Sequence, residues 1–320
     1  MSNNKLVVAI QMITYNHEEY IAQAIESVMA QETTFDYKLI IAEDFSTDNT
    51  RNICKALKQK YPNKIDLILN EKNLGVFKNA IQIHEACYNS NATYVAIIEG
   101  DDYWTDNFKL QKQVDFLESN KNYTVCFHNV KKLTVANGEP DVIVNYNQTF
   151  KDTYEFNDII IENNIATVSV MYVNKIFDIS VFDTVEPYDD FFHLLNLEKG
   201  KAKFFEDTMA VYRIHKGGTW SSRKIEEKYL VNIHIRKMIL NYFKSNPKYK
   251  NNNLFYLGLS PLYNVIAIMK YNENNITCFF NYYFAYLYNA YKSNQTIDYM
   301  LFAKLSIKIF LRKIKISQRK

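Results

Sequence analysis

The chain opens with short apolar runs that alternate with stretches of helical periodicity. Leu6–Met12, Tyr37–Ala42, Ile65–Leu69 and Tyr94–Ile98 are brief and rich in aliphatic residues, the pattern of strands buried on both faces of a parallel sheet. Between the first two, Glu19–Ala30 sets Ile21, Ala24, Ile25 and Val28 on one face of a helix, the i, i+3, i+4, i+7 spacing of an amphipathic element. Thr50–Lys60 and Val76–Tyr88 follow the same template, the former preceded by Ser46, Thr47 and Asp48 as candidate caps. Phe108–Ser119 reads as a further helix. This β-α-β-α-β-α-β order predicts a three-layer α/β domain with right-handed crossovers, whose ligands bind beyond the carboxyl ends of the strands. Residues 132–165 are polar and irregular and predict a loop-rich excursion, and Ile165–Val173 predicts another strand. After residue 220 the alternation gives way to a segment rich in Tyr, Phe, Asn and Lys that reads as mostly helical.

Charge sharpens that boundary. Residues 221–320 hold 17 Lys and Arg against 4 Asp and Glu, while residues 1–220 hold 21 against 31. The whole chain's formal charge of +3 therefore hides a basic part and an acidic one, and parts so different face different partners. The division predicts an acidic part over 1–220, of a sign that can hold metal ions, and a helical, aromatic-rich basic region over 221–320. The 4 cysteines are too sparse for a disulfide framework or a zinc knuckle. The first fifteen residues do not read as a signal peptide. A reduced, cytoplasmic setting is the expectation. The charge-free stretch Asn251–Met269 contains Pro261 and three leading Asn, which disfavours a membrane span. Aromatics such as Phe279, Tyr282, Tyr283, Phe284, Tyr286 and Tyr288 are expected to form a helix–helix core. No nucleic-acid-binding pattern is visible.

The chemistry gathers where the strands end. Strand one runs into Thr14-Tyr15-Asn16, strand two into Glu43-Asp44 and strand four into Glu99-Gly100-Asp101-Asp102-Tyr103-Trp104. Adjacent carboxylates on a turn can grip Mg²⁺ or Mn²⁺ and leave sites open for substrate phosphates. An acidic turn also caps helices by local hydrogen bonding, and Asp48 reads best that way. Asp44 lies too early for a cap and is the better ligand candidate. Neither G-x-G-x-x-G nor G-x-x-x-x-G-K-[ST] occurs among the 7 glycines, so a bound diphosphate must be neutralised by other means.

Five segments together resemble a known family. They are V-A-I-Q-M-I-T-Y-N-H-E-E-Y-I with its continuation to Gln31, E-D-F-S-T-D-N-T, N-L-G-V-F-K-N, E-G-D-D-Y-W-T-D and Y-R-I-H-K-G-G-T-W-S. In this order and spacing they are similar to the inverting, GT-A-fold glycosyltransferases of family two, over roughly residues 5–220. The resemblance implies a GT-A-like three-layer α/β/α domain with a mainly parallel sheet, joined to the helical C-terminal region. It implies that Thr14, Tyr15, Asn16, Asp44, Lys78, Asp101 and Trp104 serve the nucleotide-sugar donor, Tyr15 beside the base and Asp44 as the base-binding carboxylate. Asp101, Asp102 and His215 are implied as holders of Mn²⁺ or Mg²⁺. The family's usual Asp-x-Asp is here Glu99-x-Asp101 followed by Asp102, which leaves open which carboxylate meets the metal. Asp189 and Asp190 fall where the family keeps its catalytic base, and Asp189 is preferred.

The expected activity is thus metal-dependent inverting transfer of a sugar, with uridine the favoured base, to a hydroxyl of a glycan or lipid-linked acceptor in polysaccharide biosynthesis. A sugar nucleotidyltransferase and a non-catalytic carbohydrate-binding relic of the fold are the alternatives. Finally, Tyr299–Lys320 interleaves Leu301, Phe302, Leu305 and Ile309 with Lys304, Lys308, Arg312, Lys313, Lys315, Arg319 and Lys320. That pattern predicts a helix lying on an anionic membrane surface, which would hold the enzyme peripherally at the inner face of the cell membrane.

Overall fold

The computed structural model describes residues 6–135, 142–145 (as backbone), 151–273 and 275–295. These fall into two compact units. One comprises the chain up to Ile159 with Asn163–Ser222, and the other Ile160–Glu162 with the chain from Arg223 onward.

The first unit begins with β1 (Leu6–Thr14), α1 (Ile21–Met29), β2 (Asp36–Glu43), α2 (Thr50–Lys60), β3 (Ile65–Leu69), α3 (Val76–Asn89) and β4 (Tyr94–Glu99). These are the elements the apolar periodicity predicts. α1 buries Ile21, Ala24, Ile25 and Val28, the four residues spaced to share a face. β5 (Tyr103–Trp104), α4 (Lys109–Ser119) and β6 (Tyr123–Thr134) follow, then β7 (Val142–Asn145), β8 (Thr153–Tyr154) and α5 (Phe156–Ile161). β9 (Met171–Val173), α6 (Asp189–Leu197) and β10 (Lys201–Ile214) complete the domain. The main sheet runs β3-β2-β1-β4-β9-β6-β10-β5, with β7 on β6 and β8 on β10. β1 to β4 are parallel, β9 is antiparallel to both its neighbours, and β10 runs parallel to β6. This is the mainly parallel α/β domain the sequence implies.

Register decides where the chemistry can gather. Thr14 pairs with Glu43 across β1 and β2, and Ile13 with Glu99 across β1 and β4. Three carboxyl ends are therefore level at one edge of the sheet. Beneath them Ile10, Met12, Leu39, Ile41, Ala96 and Ile98 form a continuous fully buried layer. Burying a Leu- or Ile-sized side chain contributes about 1.5–3 kcal/mol, so this layer holds the strand ends in place.

Two expectations change in detail. The predicted strand Ile165–Val173 is shorter, because Thr167–Ser169 coils into a 3₁₀ turn before β9 begins. The Ser169 hydroxyl donates to the Ala166 carbonyl at 2.6 Å and supports that turn. The excursion after residue 132 is less irregular than its polarity suggests, since β6 continues to Thr134 and β8 and α5 form within it.

The second unit is helical, as the C-terminal sequence predicts. It contains α7 (Ile225–Lys244), α8 (Leu254–Asn272) and α9 (Ile276–Lys292). Ile233, Leu259, Tyr263 and Ile266 form one buried cluster, and Ala267, Phe279 and Tyr283 another. Much of the aromatic density is thus core, although Phe284, Tyr288 and Tyr291 remain exposed along α9. Among the described residues no helix is long and apolar enough to cross a membrane.

One buried charge stands out in the first unit. Lys109, at the start of α4, is fully enclosed, with its ammonium 2.7 Å from Gln113 Oε1 and 4.1 Å from the centre of the Trp104 ring. Burial lowers its pKa from the ordinary 10.5 to about 7. Between those two values the unfolded chain holds a proton that the folded one lacks, so stability rises with pH across the window; below about 7 both states are charged and the burial penalty is complete. Lys109→Met removes this dependence. Denaturant titrations of both proteins from pH 6 to 10 are expected to show a rise on the order of a few kcal/mol in the native protein that the variant lacks. Parallel profiles would refute it.

Candidate active site

The loops after β1 and β2 are stitched together before any ligand arrives. Asn16 adopts a left-handed φ of 54°, a conformation Asn tolerates better than most residues. It donates its N–H to Ser46 Oγ at 3.0 Å and accepts the Thr47 N–H on Oδ1 at 2.8 Å. His17 N–H donates to Thr50 Oγ1 at 2.8 Å, and Glu18 N–H to Asp48 Oδ2 at 3.1 Å. Asp48 also accepts the Thr50 N–H at 3.0 Å; the N-cap of α2 is Asn49, and Asp48 instead ties the two loops at its start. Tyr15, 41% exposed, projects from this rigid frame.

The two carboxylates ending β2 organise what surrounds them. Glu43 is fully enclosed, accepting Arg51 Nε on one oxygen and the Ser46 N–H on the other at 2.6 Å. Asp44, 3% exposed, accepts three bonds, from Asn70 Nδ2 at 2.9 Å, Leu74 N–H at 2.8 Å and Gly75 N–H at 2.9 Å. It thereby fixes the turn that starts α3, where Gly75 has a φ of 81°, and sets exposed Lys78 on the first turn of that helix. A carboxylate has about four acceptor directions, so Asp44 keeps one beyond its protein partners.

At the end of β4 the Glu99–Asp102 turn is packed against β1. Gly100 N–H donates to the Ile13 carbonyl at 3.0 Å, and Asp102 N–H to the Glu99 carbonyl at 3.2 Å. A Cβ on Gly100 would lie 2.6 Å from Thr14 Oγ1 and 2.9 Å from His17 Nδ1, so only glycine permits this approach. Thr14 is buried, and its hydroxyl lies 3.2 Å from His17 Nδ1.

The two aspartates of the turn have separate surroundings. Asp102 is completely enclosed; Oδ1 accepts the Arg213 N–H at 2.8 Å and Oδ2 has no partner. Asp101 meets His215 Nε2 at 2.9 Å and lies 3.8 Å from His17 Nε2 through the same Oδ2. Asp101 is therefore the carboxylate brought to the histidines, while Asp102, implied as its partner on the metal, is enclosed beside it with one oxygen on Arg213 and the other without a partner. Arg213 pins the turn from behind, donating to the Asp101 carbonyl and to Gln23 Oε1. Its guanidinium lies 5.0 Å from the Tyr20 ring centre and 4.5 Å from that of Tyr103.

Crowded carboxylates shift one another's titration. Burial, reinforced by the Asp101 charge, raises Glu99 and Asp102 well above the usual carboxylate range. Burial opposes ionisation of Asp101 as well, but the hydrogen bond with His215 and the nearby imidazoles prevail and lower it. His17 is lowered, chiefly by burial and against the pull of Asp101. Two imidazoles, an ionised carboxylate and an unpartnered buried oxygen make a donor set that suits a divalent cation. Within 4.8 Å of one another lie ligand atoms of His17, Asp101 and His215, and likewise of Glu99, Asp101 and Asp102.

Asp189 and Asp190 occupy the first turn of α6 but face different neighbours. Asp189 is exposed, accepts the Thr167 hydroxyl at 2.5 Å, and is near enough to Glu99 and Tyr212 for its charge to raise both. Crowding by protein raises Asp189 too, against the Thr167 bond. Asp190 accepts Asn163 Nδ2 at 2.6 Å. Trp104, implied at the donor, is 4% exposed, with its indole N–H bonded to the Val168 carbonyl at 3.1 Å. It supports the Thr167 turn from within the core and does not line the open site. A cavity of about 310 Å³ opens beside His215, bordered by Asn16, Glu18, Glu19, Tyr20, Asp48 and Lys216 among others. That is the lower end of the size range of ligand pockets. His17, Arg213 and Thr167 were not singled out by sequence reasoning. The first two stand inside the quoted motifs, and nothing local marks Thr167.

The chain matches the family described as glycosyl transferase family 2 over residues 9–215. A Mycobacterium tuberculosis protein of undescribed activity is 35% identical over 214 residues, 67% of this chain and 60% of its own. The dTDP-rhamnosyl transferase RfbG of Shigella flexneri is 31% identical over 110 residues, 34% of this chain and 37% of its own. The chain spans about three fifths of the length of the first relative and less of the second. In fold, S. aureus TarS residues 1–349, solved with UDP-GlcNAc, superposes with a TM-score of 0.57 over 91% of this chain and 93% of that one, at 16% identity. Because the matched residues include the level strand ends, the Glu99–Asp102 turn and His215, the chain belongs to glycosyl transferase family 2.

Proposed function

We propose that the protein transfers a sugar from a nucleoside-diphosphate donor, with inversion at the anomeric carbon, to a hydroxyl of a glycan or lipid-linked acceptor in polysaccharide assembly. The observation that carries this reading is the convergence of Asp101 and His215, 2.9 Å apart, with Asp189 on the open side of the same strand ends. Asp101 and His215 would hold Mn²⁺ or Mg²⁺, which when bound offsets the charge of the departing diphosphate. RfbG, a dTDP-rhamnosyl transferase, and TarS, solved with UDP-GlcNAc, support a nucleotide-sugar donor for this chain; UDP is the first to try.

The chain's own residues supply the rest. Tyr15 offers an exposed ring to the base, and Asp44 its remaining acceptor direction. Lys78, exposed on the first turn of α3, would serve as a counter-charge for the donor. Asp189 takes the proton from the acceptor hydroxyl as that oxygen attacks. Thr167 holds one of its oxygens in place.

Nucleoside-diphosphate release from a panel of nucleotide sugars, followed with Mn²⁺ and with chelator, tests the activity. Turnover without any divalent ion would overturn the metal assignment, and pyrophosphate release from a nucleoside triphosphate and a sugar phosphate would point to a nucleotidyltransferase. Asp189→Asn is expected to lower turnover about 10²–10⁴-fold while sparing affinity for the nucleoside diphosphate. Asp190→Asn should retain most of it; the reverse pattern moves the base by one residue.

We also infer that the enzyme works at the cytoplasmic face of the membrane, held to anionic lipid. The basic stretch Tyr299–Lys320 that suggests this lies outside the described residues. Support within them comes from α9, which carries no acidic residue and exposes Phe284, Tyr288 and Tyr291, aromatic types that favour the lipid interface. Sedimentation with anionic liposomes at low salt should carry the protein down, and deletion of 299–320 should leave it in the supernatant. Binding to neutral liposomes alone, or none, would count against the inference.

A further inference from the structure

His17 stands with Asp101 and His215 in one group of possible ligands, yet the proposed reaction gives it no role. Its placement is nevertheless specific. The ring Nε2 is 3.8 Å from Asp101 Oδ2, too far for a hydrogen bond, yet aimed at the oxygen that His215 Nε2 reaches at 2.9 Å. The two imidazole rings stand edge to face with centres 6.1 Å apart. Nothing about the backbone leaves His17 adjustable, because its N–H is bonded to Thr50 Oγ1 and its carbonyl accepts the N–H groups of Tyr20 and Ile21 at 2.9 and 2.8 Å.

The other ring nitrogen is also committed. His17 Nδ1 lies 3.2 Å from the hydroxyl of buried Thr14, and Gly100 leaves the space for that pair, since a Cβ there would come within 2.9 Å of the ring. An imidazole with one nitrogen tied to a hydroxyl and the other aimed at a carboxylate oxygen shared with a second imidazole has the arrangement of a metal ligand with its orienting partner. Donor atoms about 2.0–2.2 Å from a divalent ion stand roughly 3–4 Å from one another. The separations of 2.9 and 3.8 Å fall close to that range.

We propose that His17 is the third protein ligand of the metal held by Asp101 and His215, oriented by Thr14. The proposal rests on the reading of Asp101 and His215 as a metal site. It has a chemical consequence that an all-oxygen site lacks. Two imidazoles beside one carboxylate favour Mn²⁺, Co²⁺ and Zn²⁺ over Mg²⁺, which prefers oxygen donors and parts reluctantly with its water. This chain should therefore discriminate strongly against Mg²⁺. Thr14, placed at the donor by resemblance, acts here through His17 as a positioning residue.

The test is calorimetric titration of the full chain with Mn²⁺ alone, with Mg²⁺ as competitor, and the visible absorption of added Co²⁺. The wild-type protein is compared with His17→Ala, His17→Gln, Thr14→Val and Asp101→Asn. Losing a ligand should weaken Mn²⁺ binding by at least the roughly 10–100-fold typical of losing only an orienting partner. His17→Ala should show that loss, change the Co²⁺ spectrum and narrow the preference for Mn²⁺ over Mg²⁺. His17→Gln, which keeps an oxygen donor, should fall between, and Thr14→Val should weaken binding less than His17→Ala does. Wild-type affinity and spectrum in both His17 variants, with binding abolished in Asp101→Asn, would overturn the role of His17 and leave the metal site standing. Absence of Mn²⁺ and Co²⁺ binding in the wild-type protein would overturn both.

Discussion

The site depends on one close approach, that of Gly100 to Thr14. Parallel pairing brings Ile13 level with Glu99, and the turn that follows can fold back against β1 only because position 100 carries no side chain. From that contact come the burial of Asp102, the outward presentation of Asp101 and the room for the His17 ring. Arg213 completes the arrangement from the far end of the domain. Its backbone N–H donates to Asp102 Oδ1 and its guanidinium holds the Asp101 carbonyl. Without the Arg213 N–H, Asp102 would be a buried carboxylate with no donor, which costs several kcal/mol unless the group takes up a proton.

The same economy appears at Asp44 and Glu43. Both carboxylates lie at a strand end and both accept backbone N–H groups. Their energetic role is to hold the loops beside Tyr15 and the turn that starts α3, where Lys78 stands. A ligand arriving at this edge meets groups already ordered, so less binding energy is lost in arranging them. Trp104 plays the corresponding part beneath the Thr167 turn.

Much of this was legible in the sequence because burial on both faces writes itself into composition. β1 to β4 are nearly unbroken apolar runs, and the buried face of α1 is spelled by Ile21, Ala24, Ile25 and Val28. β6 and β10 were not named from sequence. β10 contains Glu206 and Asp207 within irregular pairing between Phe205 and Thr208, and such an interruption disguises the strand period. The candidate site was legible as a set of strand ends and motifs, while the contacts were not. Asp101 and Asp102 are adjacent and identical in type, and only the fold separates the one that meets histidine from the one that meets Arg213. Trp104 lies next to the acidic turn in sequence and beneath the Thr167 turn in space. Thr167 pairs with Asp189 through a 3₁₀ turn that no local pattern announces.

The origin of His215 at the end of β10 has a consequence for the order in which the molecule becomes competent. β1 to β4 are made first, and with them His17 and Asp101, but the second imidazole and Arg213 arrive only when the last strand of the domain has been synthesised and paired with β6. Until then Asp102 lacks the backbone donor that settles it. A nascent or truncated chain can thus possess most of its core and still have no finished place for a cation. Assembly of the sheet therefore completes the proposed cation site only once the chain has committed to its native topology.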